Sequence, residues 1–173
     1  IFIGFYTKGY TQTINGTIIH NGIVRTYKLY VPAIYSGNVP VPLLLNFHGY
    51  TSNSNEQMFY GDFRNIADTA NFLVVHPQGT LDNTNTTHFN VGWGGSTVDD
   101  VGFTEALIDS LSAAYSIDQN RIYSVGMSNG GFMSFRLACE LSAKIAAVGS
   151  VTGSMTPFTL GDCNASHPMP IIQ

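Results

Sequence analysis

Charge is scarce in this chain. Only 10% of its 173 residues are Asp, Glu, Lys or Arg, eleven acidic against seven basic, and they form no run or stripe. That excludes a surface built to follow a phosphate backbone or an anionic membrane, so neither nucleic acid nor membrane is expected as a partner. No apolar run approaches the ~18–20 residues of a membrane-spanning helix. No pair of His, Cys, Asp or Glu has metal-ligand spacing, and neither a metal nor another cofactor is expected. Arginine is limited to Arg25, Arg64, Arg121 and Arg136, while Gly and Asn abound. Few ion pairs and freer loops reverse the trend of high-temperature proteins and predict adaptation to low temperature, which a melting temperature well above ~65 °C would contradict.

Cysteine is limited to Cys139 and Cys163. In an oxidising compartment the two close a loop worth ~3.5 kcal/mol in the entropy model; two buried thiols fit the sequence equally well. Residues 1–6 are apolar but too short for a signal peptide and lack a basic start or a small-residue cleavage site, so a trimmed product is expected. The remainder, 44% hydrophobic overall, is enough for one domain with a real core.

The stretch 121–131 organises the rest. An apolar run of strand character turns sharply at Gly126-Met127-Ser128-Asn129-Gly130 and leads into a helical spacing over 132–141. A serine on such a strand-turn-helix carries its hydroxyl clear of the sheet, and Gly126 and Gly130 let strand and helix pass closely. The first N–H groups of the helix lack partners within it and lie at the positive end of its dipole. Ser128 is therefore the candidate nucleophile, and the Asn129 N–H a candidate oxyanion donor. As a bare pattern G-x-S-x-G is weak; its context carries the argument.

Around this turn, residues 13–19 and 22–31 are strand-like about His20-Asn21-Gly22, whose Asn-Gly predicts an antiparallel hairpin. Residues 43–47 form a nearly continuous apolar run, as in a strand buried on both faces. A helix is expected over 56–70, with Met58, Phe59, Phe63, Ile66 and Ala67 on one side, and a buried strand over 71–77. Residues 78–97 form a long polar loop carrying Trp93. A helix begins at Asp99-Asp100, both carboxylates read as its cap, and runs to about Tyr115. A turn at 118–121 enters the nucleophile strand, 145–151 is a further buried strand, and another starts at Met169. Strands alternating with helices predict an α/β fold with a mainly parallel sheet.

Leu45-Asn46-Phe47-His48-Gly49, Val98-Asp99-Asp100-Val101-Gly102-Phe103, Arg121-Ile122-Tyr123 and Gly126-Met127-Ser128-Asn129-Gly130-Gly131 occur in an order that resembles the α/β-hydrolase esterases of the polyhydroxybutyrate depolymerase and feruloyl esterase type. The resemblance runs from about Thr13 to the end. It implies a single α/β-hydrolase domain over 1–173 with helices on both faces of the sheet. It also implies ester hydrolysis through an acyl-serine, and secretion or a periplasmic location, many relatives being secreted. His48 and Gly49 would support the oxyanion loop, with the N–H of Tyr50 or Thr51 as second donor. In this fold the catalytic acid and histidine follow later strands. Glu140 lies on the helix, while Asp162 and His167 precede the last strand, so acid and base are expected beyond Gln173 and the C-terminal part of the fold is expected to be missing.

Trp93 with Phe89 is read as an aromatic wall or a core plug. His76 is read as a satisfied polar group at a strand end, where it could also line the pocket, and His20 and His88 as solvated loop residues. The expected substrates are small or polymeric esters with short acyl, hydroxyalkanoate or feruloyl-type groups. A non-catalytic binding module and a serine peptidase on the same fold are the alternatives. An open sheet edge near Ile171 predicts association with a second copy or with the missing portion.

Overall fold

The computed structural model describes residues 11–173; the apolar run 1–6 lies outside them. Strand β1 (Gln12–His20) pairs antiparallel with β2 (Ile23–Val31) in full register from Gln12 opposite Val31 to His20 opposite Ile23. The turn works because Asn21 and Gly22 take positive φ of 49° and 76°, the left-handed pair a two-residue hairpin needs. Next come β3 (Val41–Phe47), helices α1 (Ser54–Tyr60) and α2 (Arg64–Ala70), and β4 (Leu73–Pro77). Two short strands, β5 (Thr80–Leu81) and β6 (Thr87–His88), precede α3 (Asp100–Ala114) and β7 (Ile117–Met127). Helix α4 (Asn129–Glu140), β8 (Ala147–Val151), α5 (Pro157–Gly161) and β9 (Ile171–Ile172) complete the order.

The main sheet has the order β1-β2-β4-β3-β7-β8-β9. It is antiparallel through β2/β4 and parallel from β4 to β9. Alternation along the strands divides the core. Leu43, Leu45, Phe47, Leu73, Val75 and Ile122 pack with Phe103, Leu107 and Leu111 of α3 and Met133 and Leu137 of α4. Leu44, Val74 and Tyr30 face Ala67 of α2 and Phe63 on the other side. Helices therefore cover both faces, and each fully buried leucine or phenylalanine contributes ~1.5–3 kcal/mol.

Several expectations change. The helix expected over 56–70 is two helices, because the chain turns at Gly61 and Asp62 restarts it, accepting the Arg64 N–H at 3.0 Å. The break exposes Phe59 and Ile66, leaving Met58 and Ala67 as the buried contacts. Asp99 caps α3 through the Gly102 N–H at 2.8 Å, but Asp100 does not act as a cap. Its carboxylate is fully buried against Arg25 at 2.6 Å, with the guanidinium 3.8 Å from the Phe103 ring centroid. The turn expected at 118–121 belongs to β7, and the loop expected before the last strand contains α5, which starts on Thr156 capping the Thr159 N–H at 3.0 Å with Pro157 in its first turn. Cys139 and Cys163 are bonded, tying α4 to the segment after α5.

Candidate active site

Ser128 stands between β7 and α4 with φ 51° and ψ −117°, a conformation an L-residue holds at a cost of ~1–3 kcal/mol. The surroundings enforce it. Its N–H donates to the Val151 carbonyl at 2.7 Å, and its own carbonyl accepts from Phe132 at 3.0 Å. A Cβ on Gly126 would lie 2.3 Å from the Gly130 carbonyl carbon, and one on Gly130 would lie 2.1 Å from the Phe47 oxygen. Only glycine lets β7, α4 and the end of β3 meet so closely. Thr51 (φ 71°) and Thr152 (φ 61°) are also in the left-handed region, so backbone strain gathers at the carboxyl ends of β3, β7 and β8 around Ser128. Ser128 is half-buried, and its Oγ has no hydrogen-bond partner among the described residues.

The segment after β3 packs directly on this turn. A Cβ on Gly49 would sit 3.6 Å from Ser128 Cβ and 3.4 Å from the Met127 oxygen. The N–H groups of Tyr50 and Asn129 have no partner among the described residues, whereas Thr51 donates its N–H to the Thr87 carbonyl at 2.9 Å. Thr51 is thus corrected: its donor is committed, and Tyr50 is the one left free. His48 is fully buried. Its Nδ1 bonds to the Gly49 carbonyl at 2.8 Å and its Nε2 accepts the Gly79 N–H at 2.9 Å, which fixes the neutral tautomer and the course of the loop.

The segment 78–97 is anchored from several sides. The Asn129 carboxamide, itself fully buried, accepts the Phe89 N–H at 2.7 Å and donates to the Phe89 carbonyl at 3.0 Å. The Asn90 N–H donates to Asp100 at 2.7 Å, and the Asn90 carbonyl accepts from Arg136 at 2.6 Å. Phe89 is wholly buried, its ring centroid 5.0 Å from that of Phe47 and 4.6 Å from that of His48. The expected pairing of Trp93 with Phe89 is therefore corrected. Trp93, half exposed, instead stands edge-on to Phe132 at 5.0 Å and to Tyr50 at 6.3 Å, three rings beside the turn that carries Ser128. In the sequence Phe132 reads only as the first position of the helical spacing 132–141, although it lies one helical turn after Ser128.

None of the five histidines hydrogen-bonds to Ser128. His20 meets Asp99 at 2.9 Å, and His167 meets the carbonyls of Ser142 and Ile145 at 3.0 and 3.2 Å. His88 is buried rather than solvated, with Nδ1 3.2 Å from the Thr80 carbonyl. His76 is corrected on two counts. It is 1% exposed, too sealed to line a pocket, and neither ring nitrogen has a partner. Among the described residues no cluster of three His, Cys, Asp or Glu is placed to hold a metal ion.

Burial pushes His48 and His76 down from 6.5 to about 4. Between these values the unfolded chain binds more protons than the folded one, so stability falls as pH drops from about 6.5 and the loss is complete below about 4. At pH 5 each histidine costs up to about 2 kcal/mol. Urea unfolding at pH 7 and pH 5 checks this: His76→Phe should lose roughly half of the histidine-dependent difference.

Residues 25–166 match the family described as Esterase PHB depolymerase. A bifunctional acetylxylan esterase/xylanase of Neocallimastix patriciarum is 31% identical over 165 residues, covering 92% of this chain and 22% of that protein. Feruloyl esterase D of Neurospora crassa is 30% identical over 149 residues, covering 83% of this chain and 49% of that protein. The chain thus spans less than half the length of these relatives. A thermostable esterase superposes with a TM-score of 0.69 at 20% identity over 92% of this chain and 45% of its own. An S-formylglutathione hydrolase from Agrobacterium tumefaciens does so with a TM-score of 0.66 at 18% identity over 85% and 59%. The fold is that of the α/β-hydrolases, and with 142 of its 173 residues (25 through 166) inside the family match, the chain belongs to the PHB depolymerase esterase family.

Proposed function

We propose that Ser128 is the nucleophile of a carboxylic ester hydrolase working through an acyl-serine. Its Oγ attacks the ester carbonyl carbon while its proton passes to a general base. The oxyanion so formed is held by the Asn129 and Tyr50 N–H groups; the alcohol then leaves with the proton, and water hydrolyses the acyl-serine. The observation that carries this reading is the strained Ser128 at the N-terminus of α4, its Oγ free and Gly49 packed against it. None of the described histidines is hydrogen-bonded to Ser128, and the general base is assigned to none of them. The same observation motivates the competing reading, a hydrolase-like module without catalysis. The rings of Tyr50, Trp93 and Phe132 suit an ester bearing a flat aromatic group, and feruloyl esterases stand among the relatives. Short acyl and hydroxyalkanoate esters remain within the proposal, and adaptation to low temperature is kept with it.

The bonded Cys139 and Cys163 suit an oxidising compartment and hence secretion. The exposed Val151, Ile171 and Ile172 at the β8–β9 edge suit pairing with further sequence or a second copy. The deciding experiment treats the full gene product with a fluorophosphonate probe and maps the adduct by peptide mass. Stoichiometric labelling of Ser128 is the expected result. No adduct, or an adduct on another residue only, refutes the mechanism.

A further inference from the structure

The two oxyanion donors of the proposed mechanism lie on different segments, Tyr50 after β3 and Asn129 at the start of α4. Their spacing must be fixed by whatever joins those segments, because an oxyanion hole works only when both donors already point at the charge that forms. The joining piece is the main chain of residues 87–89. On one side Thr87 accepts the Thr51 N–H at 2.9 Å and donates its hydroxyl to the Ser52 carbonyl at 2.7 Å. On the other side both main-chain groups of Phe89 are taken by the Asn129 carboxamide at 2.7 and 3.0 Å. The Phe89 ring lies against His48, which itself sets Gly49.

We infer that the Asn129 side chain, as distinct from its main-chain N–H, is a positioning residue. Through the 87–89 bridge it holds the Tyr50 half of the oxyanion hole in register with the nucleophile turn. The inference rests on the reading of Ser128 as the nucleophile. Asn129→Ala keeps the N–H of residue 129 but releases Phe89, so the bridge can shift and the Tyr50 donor with it. A misplaced donor weakens binding of the transition state more than that of the neutral ester, so the loss belongs in kcat rather than KM.

The test uses the full gene product and a small acetyl ester that does not reach the aromatic rings. Asn129→Ala should lower kcat about 10- to 100-fold with KM within about threefold. Thr87→Val, nearly isosteric and able to fold even if the alanine variant does not, should lower kcat about three- to tenfold by removing the Ser52 contact. Combined, the two should cost less than the product of their separate effects, because each breaks the same bridge. A kcat within twofold of the parent in both variants, a loss confined to KM, or effects that multiply would overturn the inference. Inactive Ser128→Ala beside fully active Asn129→Ala would reject the bridge alone. Active Ser128→Ala would reject the nucleophile itself.

Discussion

Ser128→Ala in the full gene product should abolish ester hydrolysis, lowering kcat by on the order of 10⁴-fold or more, while leaving the fold nearly as stable as before. The first half follows from the chemistry, since no covalent intermediate forms without Oγ and only the preorganised donors remain to speed attack by water. The second follows from the geometry. Ser128 is half-buried and its Oγ bonds to nothing among the described residues, so removing it breaks no hydrogen bond, and the melting point should move by no more than about 0.5 kcal/mol would imply. Ser128→Gly sharpens the contrast. The residue sits at φ 51°, where glycine carries no Cβ penalty, so this variant should be inactive yet more stable than the parent by up to about 1 kcal/mol. Strain released on loss of function is the signature of a position held for chemistry. Steady-state hydrolysis of a chromogenic acetyl ester and thermal unfolding on the same preparations provide both readings, and hydrolysis by the alanine variant within tenfold of the parent would remove Ser128 from the mechanism.

The features legible in the sequence are those whose causes are local. Asn21-Gly22 specifies its own turn, the apolar run inside β3 marks a buried strand, and the glycines around Ser128 announce a turn too tight for a side chain. What escaped was decided by partners distant in sequence. Gly61-Asp62 is a local signal for a break within 56–70, but the turn there is also held from outside, by Asn46 donating to the Gly61 carbonyl at 2.8 Å. Tyr50 and Thr51 are equivalent as oxyanion donors until Thr87, 36 residues beyond Thr51, takes one of them. The polar composition of 78–97 predicts one long loop. Thr80–Leu81 and Thr87–His88 pair as short strands instead, and Asn129, Asp100 and Arg136, three side chains from α3 and α4, hold the segment against the candidate site.

Asp100 makes the second large prediction, because its carboxylate serves stability and the site at once. One oxygen meets the Arg25 guanidinium at 2.6 Å and the other accepts the Asn90 N–H at 2.7 Å, with Arg25 2% exposed and Asp100 wholly buried. Asp100→Ala leaves a buried cation with no counter-charge and already one unpartnered nitrogen, Nη1, and should cost about 3–5 kcal/mol. That is a large share of the ~5–15 kcal/mol that separates a typical folded domain from its unfolded chain. Removing both charges is a different matter, since a well-packed apolar pair avoids the desolvation penalty; Arg25→Met with Asp100→Leu should recover most of the loss. It should not recover activity in proportion, because the Asn90 N–H still lacks its acceptor and the strut that carries Trp93 is loosened. Urea unfolding and ester kinetics on the two single variants and the double variant separate the effects. A cost below about 1 kcal/mol for Asp100→Ala would show the ion pair to be dispensable. Full recovery of both stability and kcat in the double variant would show that the Asn90 contact has no part in shaping the site.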